Sequence, residues 1–166
     1  GEFSEAEEMA THTLKMTPDC IAFLEIRATC REGLGRHRAA EEDRRKIVAA
    51  CEAALKAGSN VELYHKGGNA LLKLGKVKDA EGLLLEGLNQ FPDQTAISHP
   101  LALCYAAQDR RSDAVDIWRA TLARDPDDTT AAAQLLSHLM RWSGSTKTGA
   151  PSRWDGAALV NALAPS

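Results

Sequence analysis

The side chains of this 166-residue chain that could do chemistry are five histidines, four cysteines and scattered Ser, Asp and Lys residues. His65 and His99 lie 34 residues apart, and two imidazoles brought to one face could form a pH-sensitive or metal-binding pair. Two histidines without a third ligand make a poor metal site, so no metal is expected. Cys20, Cys30, Cys51 and Cys104 form no Cys-x-x-Cys pair and no Cys/His metal spacing. Each falls in a helical pattern, which predicts buried or half-buried free thiols in a reducing compartment. Lys66-Gly67-Gly68-Asn69 contains glycines but lies within a helical stretch, and Asp127-Asp128 stands at a helix start, where N-capping accounts for it. No nucleophile elbow, phosphate-binding Gly loop or metalloprotease motif is present. The chain reads as non-enzymatic, with no cofactor.

The elements that would position these residues are helices. Apolar residues make up 44% of the chain, charged residues 26% and aromatics only 5%. Ala and Leu dominate the apolar set, and no β-branched run reaches strand length. A net charge of −3 argues against general attraction to nucleic acid. The basic cluster Arg44-Arg45-Lys46 follows Glu41-Glu42-Asp43 and is expected to be a solvated helix face. No apolar stretch is long enough to insert in a membrane, and no signal peptide is read. Residues 1–4, opening Gly1-Glu2-Phe3, look like a cloning remnant, and a cytoplasmic location is expected.

Two prolines, Pro92 and Pro126, lie 34 residues apart and define repeats at 61–94 and 95–128. In that register Ala80 aligns with Ala114, Leu71 with Tyr105, Leu84 with Trp118, and Gly68 with Ala102. Gly75 and Asp109 mark the bend between the two helices of each unit. Val61, Tyr64, Gly68 and Leu71 recur at helical intervals, as do Val77, Ala80, Leu84, Leu88 and Phe91. The small residues are expected where neighbouring helices approach most closely, so Ala80 and Ala114 should be buried. Ser59-Asn60-Val61-Glu62 has capping-box spacing, and Asp93 and Asp127 are N-cap candidates. Pro100 should make its helix start late, at Ser98, or kink.

This pattern resembles the tetratricopeptide repeat (TPR) family. Tyr64, Gly68, Gly75, Ala80 and Pro92 carry the likeness in one repeat; Leu101, Ala102, Tyr105, Ala114, Trp118 and Pro126 carry it in the next. The implied fold is all-α, an α-solenoid of antiparallel helix-turn-helix repeats. The implied function is a scaffold or adaptor that holds a peptide or helix of a partner protein in a concave groove lined by the first helices. Carried over by position, the groove residues are Glu62, His65, Lys66, Asn69 and Lys73, then Ala96, His99, Leu103 and Ala106, with Ala22, Glu25, Thr29 and Glu32 in the preceding unit. Family members that clamp acidic chaperone C-termini use Lys, Asn and Arg across three repeats. Asn69 fits that set, but His65 and Pro100 stand where Lys and Asn are wanted, so that specialised function is not expected.

The repeat domain is expected over 5–142. Residues 21–60 form a divergent repeat with Gly35 at its bend, Ala40 in the small position, Arg31 in place of the aromatic and a long second helix from His37 to Lys56. Residues 5–16 and 129–142 read as half-repeats. A linker over 143–153 leads to a tail at 154–166, in which Trp154, Leu159, Val160 and Leu163 form an apolar cluster expected to dock on the array or to drive self-association. Arg153-Trp154-Asp155-Gly156 resembles, over four residues, junctions that join such repeats to transferase domains in bacterial proteins. The alternatives to a free-standing scaffold are therefore the partner- or substrate-docking region of a larger bacterial enzyme such as a transferase, and a small secretion-type chaperone.

Overall fold

The computed structural model describes residues 1–144, and the expected tail cluster of Trp154, Leu159, Val160 and Leu163 lies outside them. Among the described residues the chain is all helix: α1 (Glu2–Met16), α2 (Ile21–Gly33), α3 (His37–Ala57), α4 (Val61–Lys73), α5 (Val77–Gln90), α6 (Thr95–Ala107), α7 (Arg111–Arg124) and α8 (Thr129–Gly144). This is the all-α helical-repeat solenoid fold. The chain divides into two units, one ending at Cys104 and one beginning at Tyr105.

Three hairpin turns share one construction. Gly35, Gly75 and Asp109 adopt left-handed backbone with φ of 73°, 73° and 60°. At each, the following N–H reaches back to a carbonyl five residues earlier: Arg36 to Arg31 at 2.7 Å, Lys76 to Leu71 at 2.9 Å, Arg110 to Tyr105 at 2.9 Å. These bonds satisfy carbonyls that the ending helix leaves without donors. Glycine adopts that conformation without a Cβ penalty, and Asp is among the few other residues that tolerate it. The turns at Gly75 and Asp109 keep the 34-residue spacing, whereas Gly35 and Gly75 are 40 apart. The surplus lies in α3, which runs 21 residues against 14 for α5 and 14 for α7.

In the first unit, Leu14, Leu24, Ile47, Cys51 and Ala70 form one buried cluster that joins α1 to α4. Gly68 and Ala102 are buried, and Ala80, like Leu84, is completely inaccessible. In the second unit Ala114 and Trp118 are also 0% exposed. There the Trp118 ring stacks on His138 of α8 with centroids 5.0 Å apart, and His138 meets Trp142 at 5.3 Å. Trp142, at the far end of that half-repeat, is thus buried in the unit.

The structure corrects several expectations. Asn60, not Ser59, caps α4, its Oδ1 accepting from Glu62 N–H at 2.7 Å. Asp128, not Asp127, caps α8, accepting from Ala131 N–H at 2.8 Å. Asp93 is no N-cap but a left-handed turn residue, with φ 64°. α6 starts at Thr95 rather than Ser98, with Pro100 inside it. At that depth proline costs one intrahelical bond, the one its missing N–H would make to Ala96. Cys20 sits at the N-cap of α2 rather than within a helix.

Arg44 does not lie on a solvated face. It is buried and pairs with Glu32, and its neighbour Asp43 is 0% exposed. Arg27 forks onto Asp43 with contacts of 3.0 and 2.6 Å. Arg31 donates to Asp43 at 2.8 Å and to Glu7 of α1 at 2.9 Å, and Arg36 also binds Glu7. Four arginines and three carboxylates therefore tie α1, α2 and α3 together.

Candidate functional site

The expected groove face can be followed within the first unit. The Asn60 cap fixes the start of α4, and the helical period then carries Glu62, Lys66, Asn69 and Lys73 along one side. α2 presents Glu25, Thr29 and Glu32 by the same spacing. The two rows meet in a cavity of about 320 Å³ lined by Glu25, Thr29 and Glu32 of α2, Arg44 and Ile47 of α3, and Lys66, Asn69 and Lys73 of α4, with Ala28 and Ala70 between them. Three residues expected on α4 and three expected on α2 thus share one wall-to-wall space.

His99 and Leu103 of α6 are half-buried and do not line this cavity. His99 is close enough to His65 to act on its charge. Ala22 is exposed and also lies away from the cavity. Of the lining residues that sequence reading missed, Ala28 and Ala70 lie on the same rows, while Arg44 and Ile47 come from the second helix of the hairpin. Their signal was present in part: Ala40, Ile47 and Cys51 trace an apolar stripe on α3, and Asp43 and Arg44 flank it.

The walls carry opposite charge and are coupled. Lys66 Nζ lies 3.1 Å from Glu25 and 3.0 Å from Glu62. Burial alone would lower its pKa, but hydrogen bonds to Glu62 and Glu25 outweigh that and raise it. Lys73, at the mouth, is 63% exposed and 4.0 Å from Glu32, which also binds Arg44. Asn69 Nδ2 lies 2.7 Å from His65 Nε2. The His65 pKa is lowered, first by burial and also by Lys66 and His99, against the opposite pull of Glu25 and Glu62.

This arrangement offers hydrogen bonds and ion pairs. Burial pushes the Cys51 thiol up to about 11, with Glu25 adding to it, and the Cys104 thiol up to about 12, with Glu81 adding to it. Neither forms a nucleophilic thiolate at neutral pH. Among the described residues no group of three or more His, Cys, Asp or Glu side chains is placed to hold a metal ion. No helix among them is long and apolar enough to cross a membrane. A larger hollow of about 660 Å³ lies along α1, but Arg31 and Arg36 on its wall are both engaged by Glu7.

Comparison with known proteins bears on the family. No curated protein matches the chain. A crystal structure of MamA is 17% identical, with a TM-score of 0.55 over 86% of this chain and 80% of that one. A crystal structure of YrrB, described as a TPR protein with an unusual peptide-binding site, is 18% identical, with a TM-score of 0.50 over 87% of this chain and 72% of that one. The MamA RS-1 ArsTM double mutant is 17% identical, with a TM-score of 0.50 over 90% and 89%. At these identities the likeness speaks for the fold. The family model of the tetratricopeptide repeat matches residues 71–139. That match, the left-handed turns repeating at 34 residues and the small residues buried at the helix contacts identify tetratricopeptide repeats over residues 71–139.

Proposed function

We propose that this chain is a protein-interaction scaffold whose α2–α4 groove holds an extended or helical segment of a partner protein. Tetratricopeptide repeats are interaction scaffolds in general; the groove and its occupant are our own reading. The observation that carries it is the convergence of Glu25, Thr29, Glu32, Lys66, Asn69 and Lys73 on one cavity. Its volume of about 320 Å³ suits a few side chains of a peptide rather than a large cofactor. Lys73 at the mouth and the Asn69 amide offer a cation and a paired donor and acceptor to a peptide backbone. YrrB, which shares the fold, is described as having a peptide-binding site, and this supports a peptide as the ligand class. The same groove would serve a free-standing scaffold or the docking region of a larger enzyme. The four free cysteines accord with a reducing, cytoplasmic setting, which is part of the proposal.

The test uses peptides selected from a random library on the full chain. Replacing Asn69 and Lys73 together by Ala should weaken the selected peptides by about tenfold or more with an unchanged melting temperature. Equal affinity in the double variant places recognition on another face.

A further inference from the structure

Asn69 and His65 are one helical turn apart on α4, so their side chains lie side by side. Asn69 lines the cavity, and its Nδ2 is 2.7 Å from His65 Nε2. A carboxamide has one donating end and one accepting end. Whichever end faces the imidazole, the other is left for the groove. Among the described residues, nothing donates to Asn69 Oδ1.

We propose that His65 is a positioning residue that sets which end of the Asn69 amide is offered to a peptide, and that protonating His65 reverses it. In the neutral ring Nε2 accepts from the Asn69 NH2 group, and the proton sits on Nδ1. Oδ1 then faces the groove and selects a donor, such as a peptide N–H. In the imidazolium both ring nitrogens donate. An unrotated amide would then set one N–H against another, so rotation about the last side-chain bond brings Oδ1 to Nε2 and turns the NH2 group outward. The groove would then select an acceptor, such as a peptide carbonyl or carboxylate.

The surroundings favour the neutral form near pH 7. Burial lowers the His65 pKa first, and Lys66 on α4 and His99 from α6 add to that. The carboxylates of Glu25 from α2 and Glu62 on α4 act the other way and favour the protonated form.

The inference rests on the groove reading for its purpose but not for its test. Nuclear resonance on the full chain, from about pH 8 to about pH 5, follows the His65 ring nitrogens and the Asn69 side-chain amide without any ligand. We expect the Nδ1–H tautomer at the upper end and an Asn69 amide shift that shares the His65 midpoint and vanishes in His65→Gln. An Nε2–H tautomer at the upper end, or an Asn69 amide indifferent to the titration, overturns the proposal.

A second arm uses the library-selected peptides. Their affinity should change at least about threefold between those pH values for the parent chain and stay level for His65→Gln. Equal pH dependence in both chains also overturns the proposal. Loss of Asn69 dependence in the binding assay would instead count against the groove, while the resonance result still decides the role of His65.

Discussion

The α2–α3 and α4–α5 hairpins turn at equivalent points, Gly35 and Gly75, so residues 40 apart occupy the same places. In the first, Arg27 faces Asp43 as a buried two-pronged ion pair. In the second, those places hold Gly67 and Leu83, and a Cβ added at Gly67 would come within 2.8 Å of the Leu83 methyl. Arg44, which reaches Glu32, corresponds to Leu84, which packs over Gly68. Leu24 and Ile47 share a core contact as two medium side chains, where Tyr64 and Gly87 share it as one large and none. One backbone geometry thus accepts either charge or close carbon packing at its interhelix seam. The charged version is directional and extends through Arg31 and Glu7 to α1, whereas the apolar version meets its neighbours, Cys51 of α3 and Ile97 of α6, by carbon and sulfur packing alone.

The largest expected effect breaks the charged seam. Asp43→Ala would leave Arg27 buried without its carboxylate and half-buried Arg31 with the Glu7 carboxylate alone, and about 3–5 kcal/mol should be lost in urea unfolding. Making the seam apolar, with Arg27→Met and Asp43→Leu together, should cost far less than the single change. If the single substitution proves mild, the two seams do not differ in the way described.

The apolar seam is tested by a pair of glycines in the same hairpin. An alanine methyl at Gly68 would fall 2.5 Å from Leu84 Cδ2 and 2.7 Å from its Cγ, and Leu84 is fully buried, so it has no room to retreat. Overpacking of about 1–3 kcal/mol should exceed the gain of about 1 kcal/mol in helix propensity. Gly82 is an exposed helical glycine with nothing within 4 Å of an added Cβ. Gly82→Ala should therefore stabilise by about 0.5–1 kcal/mol. Opposite signs in the urea midpoints separate packing from propensity.

This contrast also explains what could be read from sequence. The apolar seam was legible because its residues repeat at 34 and share one helical face, so Ala80, Leu84, Gly68 and the Gly75 turn fell into register. The charged seam was not. Arg44 in a run of charges looks solvated, and local periodicity has no means of knowing that Asp43 meets Arg27 sixteen residues earlier, or that Arg31 meets Glu7 twenty-four earlier. The caps failed by one residue because Ser59 and Asn60, like Asp127 and Asp128, are both competent oxygen acceptors, and only the backbone decides which reaches the helix. The α2 and α4 rows of the cavity followed from the repeat; the contribution of α3 needed the folded hairpin.

The smallest expected effect is a difference in acid sensitivity. His65, on α4, has a pKa held below its ordinary value of 6.5, first by burial. The unfolded chain therefore binds the proton more readily than the folded one. The corresponding stability is fully present above the unfolded pKa and is lost as pH falls through the window from 6.5 down to the depressed folded value. His138 in α8, also depressed by burial and by Arg141, contributes in the same direction. Urea midpoints measured across that window should fall with acid in the parent chain and fall less steeply in His65→Gln, with the remaining slope reduced again in His138→Gln. The α4 seam would then carry an acid-sensitive element of its own, separable from the arginine–carboxylate seam by a single titrating ring. A slope unchanged by His65→Gln means that the α4 imidazole titrates alike in the folded and unfolded chain, and that the acid response arises elsewhere.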